Sequence, residues 1–235
     1  HRDLHYSLHS FPTRRSSDLP LRGEIIATQI ANQLVNDMGL NFVARLKDET
    51  GATDAEIAKC YVMAREVFSL SKIWREIEAL DNKVPAATQL RMMSETRRTI
   101  RRATRWFLRL RNRNWTISEN IEFYKPAYNQ LHENLLNILV EEEVTTLTEQ
   151  TAILVEQGVP QTLASLICQQ NLLFSALDLA QISEQHQRTI IVCAQMYFNL
   201  GAKLELHWFL DQINGLGVDN HWQALARASF REELD

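Results

Sequence analysis

The sequence predicts an all-α protein, a multi-helix bundle with one long amphipathic helix at its centre. Three observations favour this class. Apolar residues recur at alternating steps of three and four along most of the chain, which is the period of one helical face. Glycine and proline occur only seven and five times in 235 residues, while residues that favour helices are abundant. No stretch shows the alternation of apolar and polar residues that is typical of a half-buried strand.

Composition excludes several classes of protein. The apolar fraction of 45% and the charged fraction of 23% are ordinary for a globular domain, and the net charge of −4 argues against a surface built to bind nucleic acid. Cys60, Cys168 and Cys193 are odd in number and widely spaced, which favours reduced, buried thiols over disulfides or a zinc site. No apolar run approaches the roughly 20 residues of a transmembrane helix. We therefore expect a cytoplasmic protein.

Residues 1–20 differ from the rest of the chain. They lack a helical period, and His1, His5 and His9 at steps of four would permit a metal-site hypothesis. Their SFPTRRSSDL segment, however, resembles a translated cloning or sequencing adaptor. We interpret residues 1–20 as a non-native, irregular leader and residues 21–235 as one helical domain.

The helices before residue 85 are predicted by apolar period and by capping signals. The first should end at Gly39, and a short segment, 42–49, follows it. Thr53 and Glu56 fit a capping box that opens a helix ending near Leu70. A helix over 71–80 and a turn at 81–83 come next. The residues expected to face inward are Ile26, Ile30, Leu34, Met38, Ile57, Tyr61, Ala64, Val67, Phe68, Ile73, Trp74, Ile77 and Leu80.

The long central helix is predicted over about 86–113, with Pro85 suited to its first turn. One side carries an apolar seam, and the other side carries guanidinium groups. The seam consists of Met93, Thr96, Ile100, Ala103, Phe107 and Leu110. The arginine side consists of Arg91, Arg98, Arg102, Arg105 and Arg109.

After the central helix, Ser118 is expected to cap a helix that Pro126 should kink or restart. Its expected inward residues are Ile121, Tyr124, Tyr128, Leu131, Leu135 and Ile138. The acidic run 141–143 is interpreted as a solvated segment near the end of this helix. Leu147, Thr151 and Leu154 mark another helix, which should stop at Gly158-Val159-Pro160. Further helices are expected over about 161–170, 173–182, 188–200, 202–213 and 219–234, the last capped by Asp219.

A weak internal similarity appears when the chain is shifted by 136 residues. The shift pairs Leu46 with Ile182, Ala58 with Ala194, Tyr61 with Tyr197, Phe68 with Leu204, Leu70 with Leu206, Ile77 with Ile213 and Leu80 with Leu216. Either two similar helical units flank the arginine-backed helix, or the agreement is one that any two amphipathic stretches can give.

The arginine side of the central helix has two interpretations. Guanidinium groups could pair with phosphates while Trp106 stacks on a base, which would make this a nucleic-acid-binding or adaptor module. Alternatively, the arginines lie on a solvated or interface-facing side and pair with acidic neighbours such as Glu95. The overall acidity and the apolar seam favour the second interpretation.

Other candidate sites are weak. Gly215-Leu216-Gly217 faintly resembles a phosphate loop but lacks a preceding strand and a third glycine, so it predicts a turn. The remaining histidines have no partner at metal-ligand spacing, and nothing marks Cys193 and His186 as a nucleophile and its base. Paired acids at 141–143 and 232–233 indicate solvated surface. These histidines are His132, His186, His207 and His221, and the five tryptophans, expected in the core or in a subunit contact, are Trp74, Trp106, Trp115, Trp208 and Trp222.

Six longer segments carry a resemblance to a known family. They are LRGEIIATQIANQLVNDMGLNFVARLKDETGA (21–52), EIAKCYVMAREVFSLSKIWREIEALDNKVPA (56–86), RRATRWFLR (101–109), FSALDLAQISE (174–184), YFNLGAKLELHWF (197–209) and NHWQALARASFREEL (220–234). In this order, and without large gaps, they resemble the C-terminal helical region of the large NAD-specific glutamate dehydrogenases, the bacterial long-chain class.

The resemblance implies a parent enzyme that oxidises L-glutamate to 2-oxoglutarate and ammonia and transfers hydride to NAD. In this family the dinucleotide fold and the lysine-centred substrate site lie in a separate upstream domain. Residues 21–235 match none of those motifs, so no catalytic, cofactor-binding or metal-binding residue is assigned here. The implied role is support of the upstream catalytic domain and of a homo-oligomer, without nucleic acid or membrane as a partner.

Overall fold

The computed structural model describes residues 21–110 and 115–234, and these residues form helices with no β-strand among them. The all-α prediction is confirmed. The twelve helices of the described residues are α1 Arg22–Met38, α2 Asn41–Thr50, α3 Asp54–Val67, α4 Leu70–Glu78, α5 Ala86–Arg109, α6 Ile117–Ile138, α7 Glu141–Glu156, α8 Gln161–Leu173, α9 Ala176–His186, α10 Ile190–Lys203, α11 Leu206–Gly215 and α12 His221–Leu234.

Several predicted helix ends are confirmed. Gly39 follows α1 with a φ of 84°, and Gly158 ends the turn after α7 with a φ of 93°, where only glycine is unstrained. A Cβ on Gly158 would also lie 3.3 Å from the Lys83 carbonyl oxygen. At the start of α3, Thr53 Oγ1 accepts from the Glu56 N–H while the Glu56 carboxylate accepts from the Thr53 N–H, which completes the predicted capping box.

Two predicted caps are wrong. Thr116, not Ser118, caps α6, because Thr116 forms a full capping box with Glu119. The bonds from the Thr116 backbone and side chain also lower the pKa of Glu119. Asn220, not Asp219, accepts from the Gln223 N–H at the start of α12, at 3.0 Å. Thr116 has the extended backbone that is typical of an N-cap, with φ −68° and ψ 166°.

Two interpretations of local structure also need correction. Glu141 to Glu143 do not end α6 but form the first turn of α7, where the positive end of the helix dipole favours carboxylates. Pro126 lies inside α6, which continues through it as one helix from Ile117 to Ile138 rather than restarting.

The central helix has the predicted amphipathic character. Of the predicted seam, Thr96, Ile100, Ala103 and Phe107 are buried. The buried stripe is wider than predicted, since Met92, Thr99, Thr104 and Leu108 also lie inside. Threonine hydroxyls are tolerated there because they donate to carbonyls of the same helix, as Thr96 does to Met92 at 2.9 Å. The helix ends at Arg109, and residues 111–113 of the predicted span lie outside the described residues.

The core lies around α3 and α6. Helix α3 packs on α5 and α6, and α6 packs in turn on α9 and α10. An aromatic cluster fills this centre: Phe107 and Trp106 each meet Tyr124 edge-on at a centroid distance of 5.4 Å, and Phe68 meets Tyr128 at 5.1 Å. Aromatic side chains bury large areas in such edge-to-face pairs, so this cluster fixes α5 and α3 against α6.

The internal similarity predicted at a shift of 136 residues has a structural counterpart. Helices α3 and α10 have equal lengths of 14 residues, and each follows a threonine N-cap, Thr53 or Thr189. Gly51 and Gln187 are both left-handed at the preceding helix end, and Ser69 and Glu205 both have a φ of 52° before α4 and α11. These coincident turns favour two similar units over a chance agreement of amphipathic patterns. We call α2–α4 the first unit and α9–α11 the second unit.

Among the described residues, no single helix combines the length and the hydropathy needed to cross a bilayer. Helices α8 and α9 together satisfy the length and composition test as a pair bent by 54°.

Candidate functional site on the arginine-rich helix

Helix α5 has protein neighbours along its arginine side as well as along its seam. Arg102 lies over the ring of Phe174, 4.0 Å from its centroid, and its Nη1 donates to Asn171 Oδ1 at 2.6 Å. A guanidinium group held flat on an aromatic ring is stabilised by the negative face of that ring. Arg102 therefore joins α5 to α8 through Asn171 and to Phe174, which follows the last residue of α8.

Arg105 forms an ion pair with Glu49 of α2. Both side chains are substantially covered, so the pair is screened less than a surface pair would be. The neighbouring Arg101 has a lowered pKa, because partial burial and repulsion by Arg45 and Arg105 outweigh the attraction of Glu49. This end of α5 thus concentrates positive charge, and Glu49 offsets part of it.

The first half of α5 makes weaker contacts through its arginines. Arg97 donates to the Asp37 carbonyl at 2.9 Å and lies 5.6 Å from the centroid of Trp74. Arg98 is exposed and lies 3.7 Å from Glu95 on the same helix, as the sequence predicted. Arg91 and Arg109 are exposed. The predicted pairing of arginines with neighbouring acids is therefore confirmed for Arg98 and Arg105.

Trp106 contacts protein groups of α5, α6 and α9. Its Nε1 donates to Asp178 Oδ1 of α9 at 2.8 Å, and its ring packs edge-on against Phe107 and Tyr124. Sequence reasoning missed Asp178 and Asn171 as partners of α5, because both lie about 70 positions downstream on helices whose polar residues read as ordinary surface.

Two of the cavities that adjoin the arginine side are each lined by more than one of its arginines. The larger of these two, about 300 Å³, lies at the end of α5 and is lined by Arg102, Arg105, Trp106, Arg109 and Asp178 among others. The smaller, about 230 Å³, lies between α5 and α8 and is lined by Arg91, Glu95, Arg98 and Cys168 among others. The positive charge of the larger cavity could hold an anion, but Arg102 and Arg105 already bond to protein groups and would have to exchange partners. This arrangement is suited to joining helices.

Of the histidine candidates, the structure describes the side chains of His132 and His186. His132 is stacked on Tyr128, and burial lowers its pKa while Glu133 opposes that shift. His186 is exposed at the end of α9, whereas Cys193, its possible partner in the sequence, is buried. The side chains of His207 and His221 lie outside the described residues, as do Glu232, Glu233 and the three histidines of the leader. Within the described part of the chain, no group of three or more His, Cys, Asp or Glu residues could hold a metal ion.

The cysteines are free thiols, and Cys60 and Cys193 are buried, as predicted. Burial, aided by the charge of Glu56 and opposed by Lys59, raises the pKa of the Cys60 thiol to about 12. The half-buried Cys168 also has a raised pKa, chiefly because of burial. Nucleophilic chemistry requires the thiolate, so neither environment activates a cysteine for catalysis.

The remaining sequence candidates take structural positions. Gly215 ends α11 and Gly217 lies in the turn before α12, and the element that precedes this Gly-x-Gly is a helix. Trp74 is buried and Trp115 packs on Phe123 at 5.1 Å. Trp208 and Trp222 are exposed, so core packing is the wrong explanation for those two.

The amino-acid sequence matches one described protein family and several known proteins. Residues 14–235 match the protein family described as "Glutamate dehydrogenase, C-terminal". The chain is 43% identical over 215 residues to the NAD-specific glutamate dehydrogenase of Halomonas elongata and 42% identical over 216 residues to that of Pseudomonas aeruginosa. It is 28% identical over 214 residues to the NAD-specific glutamate dehydrogenase of Mycobacterium tuberculosis.

These matches cover nearly all of this chain but only a small part of each relative. They include 92% of this chain for the first two relatives and 91% for the third, but only 13% of the length of each relative. The similarity therefore extends over nearly the whole of this chain and over a small part of each curated protein.

Proposed function

The chain belongs to the glutamate dehydrogenase C-terminal family, and we propose that it is a non-catalytic helical part of an NAD-dependent glutamate dehydrogenase. The proposed parent enzyme converts L-glutamate, NAD and water into 2-oxoglutarate, ammonia and NADH in the cytoplasm. The role of this part is to support the upstream catalytic domain of the same polypeptide and to contribute to a homo-oligomer. The observation that carries the proposal is the similarity of 92% of the chain to two NAD-specific glutamate dehydrogenases.

The described residues do not fit the dinucleotide itself. NAD is held where a strand runs through a glycine-rich turn into a helix, with the pyrophosphate at the helix N-terminus. Here the Gly-x-Gly sequence follows helix α11, and no strand occurs among residues 21–110 and 115–234. We therefore derive no catalytic step in this region and assign it no cofactor-binding or metal-binding residue.

The contacts of α5 support a structural role for its arginines. Arg102 and Arg105 bond to Asn171 and Glu49, and Trp106 bonds to Asp178, so the side chains best suited to hold a phosphate connect helices instead. The similarity to known proteins gives no support to the alternative of a nucleic-acid-binding or adaptor module.

Steady-state kinetics of the intact dehydrogenase that carries this region would test the proposal. The Arg102→Ala and Arg105→Ala double variant should leave the KM values for NAD and glutamate unchanged, because these arginines act within the helical region. The matched Arg102→Lys and Arg105→Lys variant keeps both positive charges and loses only the guanidinium groups. If the KM for NAD rises about tenfold or more in the alanine variant and stays at the wild-type value in the lysine variant, these residues take part in cofactor binding and the proposal is contradicted. Absence of glutamate-dependent NAD reduction by the intact protein would contradict the proposed activity.

A further inference from the structure

Helices α10 and α11, with the residues that end them, expose six large apolar side chains. We call this set the α10–α11 face, and its members are Met196, Leu200, Leu204, Trp208, Phe209 and Leu216. Single exposed apolar residues are common on soluble proteins, but Met196, Leu200 and Leu204 recur at steps of four and so lie along one side of α10, which points to an interaction surface.

The corresponding residues of the first unit are covered, except Lys72, which corresponds to Trp208 and is exposed. Leu200 is 57% exposed, whereas its counterpart Ala64 is fully buried. Leu204 is 59% exposed, whereas its counterpart Phe68 is 1% exposed. Cys60, Ile73 and Leu80, which correspond to Met196, Phe209 and Leu216, are buried as well. The two units therefore share a backbone arrangement but differ in what covers the same face.

In the first unit, helix α5 packs on both α3 and α4, and Phe68 is covered in addition by Tyr128 of α6 and by Phe174. The first half of α5 passes α4, where Gln89 donates to the Ile77 carbonyl at 3.0 Å and Arg97 lies over Trp74. It then continues along α3 and reaches Glu49 of α2 through Arg105. Helix α12 lies at the place equivalent to the first half of α5, and it packs on α11 as α5 packs on α4. The place equivalent to the second half of α5, along α10, contains no helix within the described residues.

A groove lies beside α10, shares Leu200 with the α10–α11 face and has Arg102 of α5 among its lining residues. Its volume is about 140 Å³, and its lining is mainly apolar, with Phe174, Tyr197, Leu200, Leu206 and Leu210 among its residues.

From this correspondence we propose that the α10–α11 face binds an amphipathic α-helix supplied by the remaining part of the same dehydrogenase polypeptide. This inference rests on the proposed function, since the curated relatives extend well beyond the 13% of their length that this chain covers. The occupant lies on α10 as Thr99 to Arg109 lie on α3. Since Leu200 and Met196 are larger than Ala64 and Cys60, the seam of the occupant carries small side chains such as Ala, Ser or Gly opposite them.

Thiol labelling of the intact dehydrogenase tests the proposal. One variant carries Leu200→Cys on the α10–α11 face, and the matched control carries Ile153→Cys on α7, where the native side chain is 49% exposed and lies outside the face. Each rate is divided by the rate for the same variant in urea, and the labelled peptide is identified by mass spectrometry. We expect Leu200→Cys to react at least about tenfold more slowly than Ile153→Cys, because a docked helix must leave before the thiol is reached. Equal relative rates would overturn the proposal.

A photo-crosslinking residue at position 200 identifies the occupant. We expect a crosslink within one polypeptide, to a segment outside the helical region with apolar residues at steps of three and four. A crosslink that doubles the mass of the chain would assign the face to a second copy and overturn the proposal. Glutamate-dependent NAD reduction is measured on the same unlabelled protein, so a failure of the proposed activity is distinguished from a failure of helix docking.

Discussion

The two similar units show that one helical arrangement can form either the core or the surface of the same domain. In the first unit, α3 is surrounded by α1, α2, α4, α5 and α6, and Tyr61, Ala64, Val67 and Phe68 are buried. In the second unit, α10 is buried on the side of α6 and α9 through Cys193, Ala194 and Phe198, while its other side is open. The helix bounds and turns agree between the units, so the difference arises from the neighbours of each unit and not from its internal geometry.

The largest expected effect comes from truncating a residue on the covered face of the first unit and comparing it with its equivalent on the exposed face of the second unit. Phe68→Ala should lower the free energy of unfolding by about 3–5 kcal/mol, because it removes a buried ring that packs on Tyr128 and Phe174 and leaves a cavity. Leu204→Ala, its matched control in the second unit, should change it by less than about 0.5 kcal/mol in this chain. Urea denaturation of both variants makes the measurement. Equal losses would show that the second face is covered in this chain as well.

The contact between α5 and α8 is expected to give an intermediate effect. Arg102→Ala should destabilise the chain by about 1–2 kcal/mol, because it removes the contact with Phe174 and leaves Asn171 without this hydrogen bond. Arg98→Ala is the control on the same helix, and its exposed pair with Glu95 predicts a loss of no more than about 0.5 kcal/mol. Thermal or urea unfolding compares the two. Should Arg98 prove the costlier residue, the stability of the contact between α5 and α8 would not depend on Arg102.

The N-caps of the two units offer a gain of stability. Thr53 and Glu56 form a complete capping box, but Val192 occupies the place of Glu56 in the second unit, where Thr189 accepts from the Val192 N–H at 3.5 Å. Val192→Glu should complete the box and stabilise α10 by about 0.5–1 kcal/mol. The measurement is the urea midpoint, and Val192→Gln and Val192→Ala separate the capping effect from the loss of the valine side chain. No gain over alanine would show that the two caps differ in backbone geometry.

The smallest expected effect concerns pH and α6, which lies between the units. Burial lowers the pKa of His132 below its ordinary value near 6.5, so the folded state favours neutral imidazole. The unfolded chain therefore binds more protons than the folded chain in the window between the two pKa values. The stability contribution of His132 is present above pH 6.5 and is lost as the pH falls through the folded pKa.

His132→Gln should remove this part of the pH dependence, and the difference between wild-type and variant urea midpoints between pH 7.5 and 5 measures it. His186→Gln, at an exposed position with no such burial, is the control. A wild-type protein that gains stability relative to His132→Gln on acidification would show that the pKa shift has the opposite sign.

The accuracy of the sequence predictions followed the range of the interactions involved. The capping box at Thr53, the glycine ends at Gly39 and Gly158 and most of the seam of α5 were predicted, because each depends on residues within one or two helical turns. Ser118 and Asp219 were wrong because neighbouring Thr116 and Asn220 carry equally good capping groups, and only the backbone conformation selects between them. The acidic residues 141–143 were placed on the wrong helix for the same reason, since a polar run suits either side of a boundary.

The candidate site shows where such local reasoning ends. The sequence identified the arginines of α5 and favoured protein partners for them, but it named Glu95 and not Glu49, Asn171 or Asp178. Those partners lie 56 to 72 positions away in the chain. A periodic pattern specifies which side of a helix a residue lies on, but it does not specify which other helix lies there.

The sequence by itself determined the helical class and most of the helix bounds, because helical period and caps depend on neighbouring residues. It left the similarity of the two units open, and their coincident turns in the structure favour it. The tertiary structure alone decided that α5 covers α3 while the equivalent part of α10 stays open, and that the arginines of α5 join helices. Burial is a property of the assembled chain: the free energy of covering an apolar face depends on which surface reaches it, and segments far apart in the sequence supply that surface.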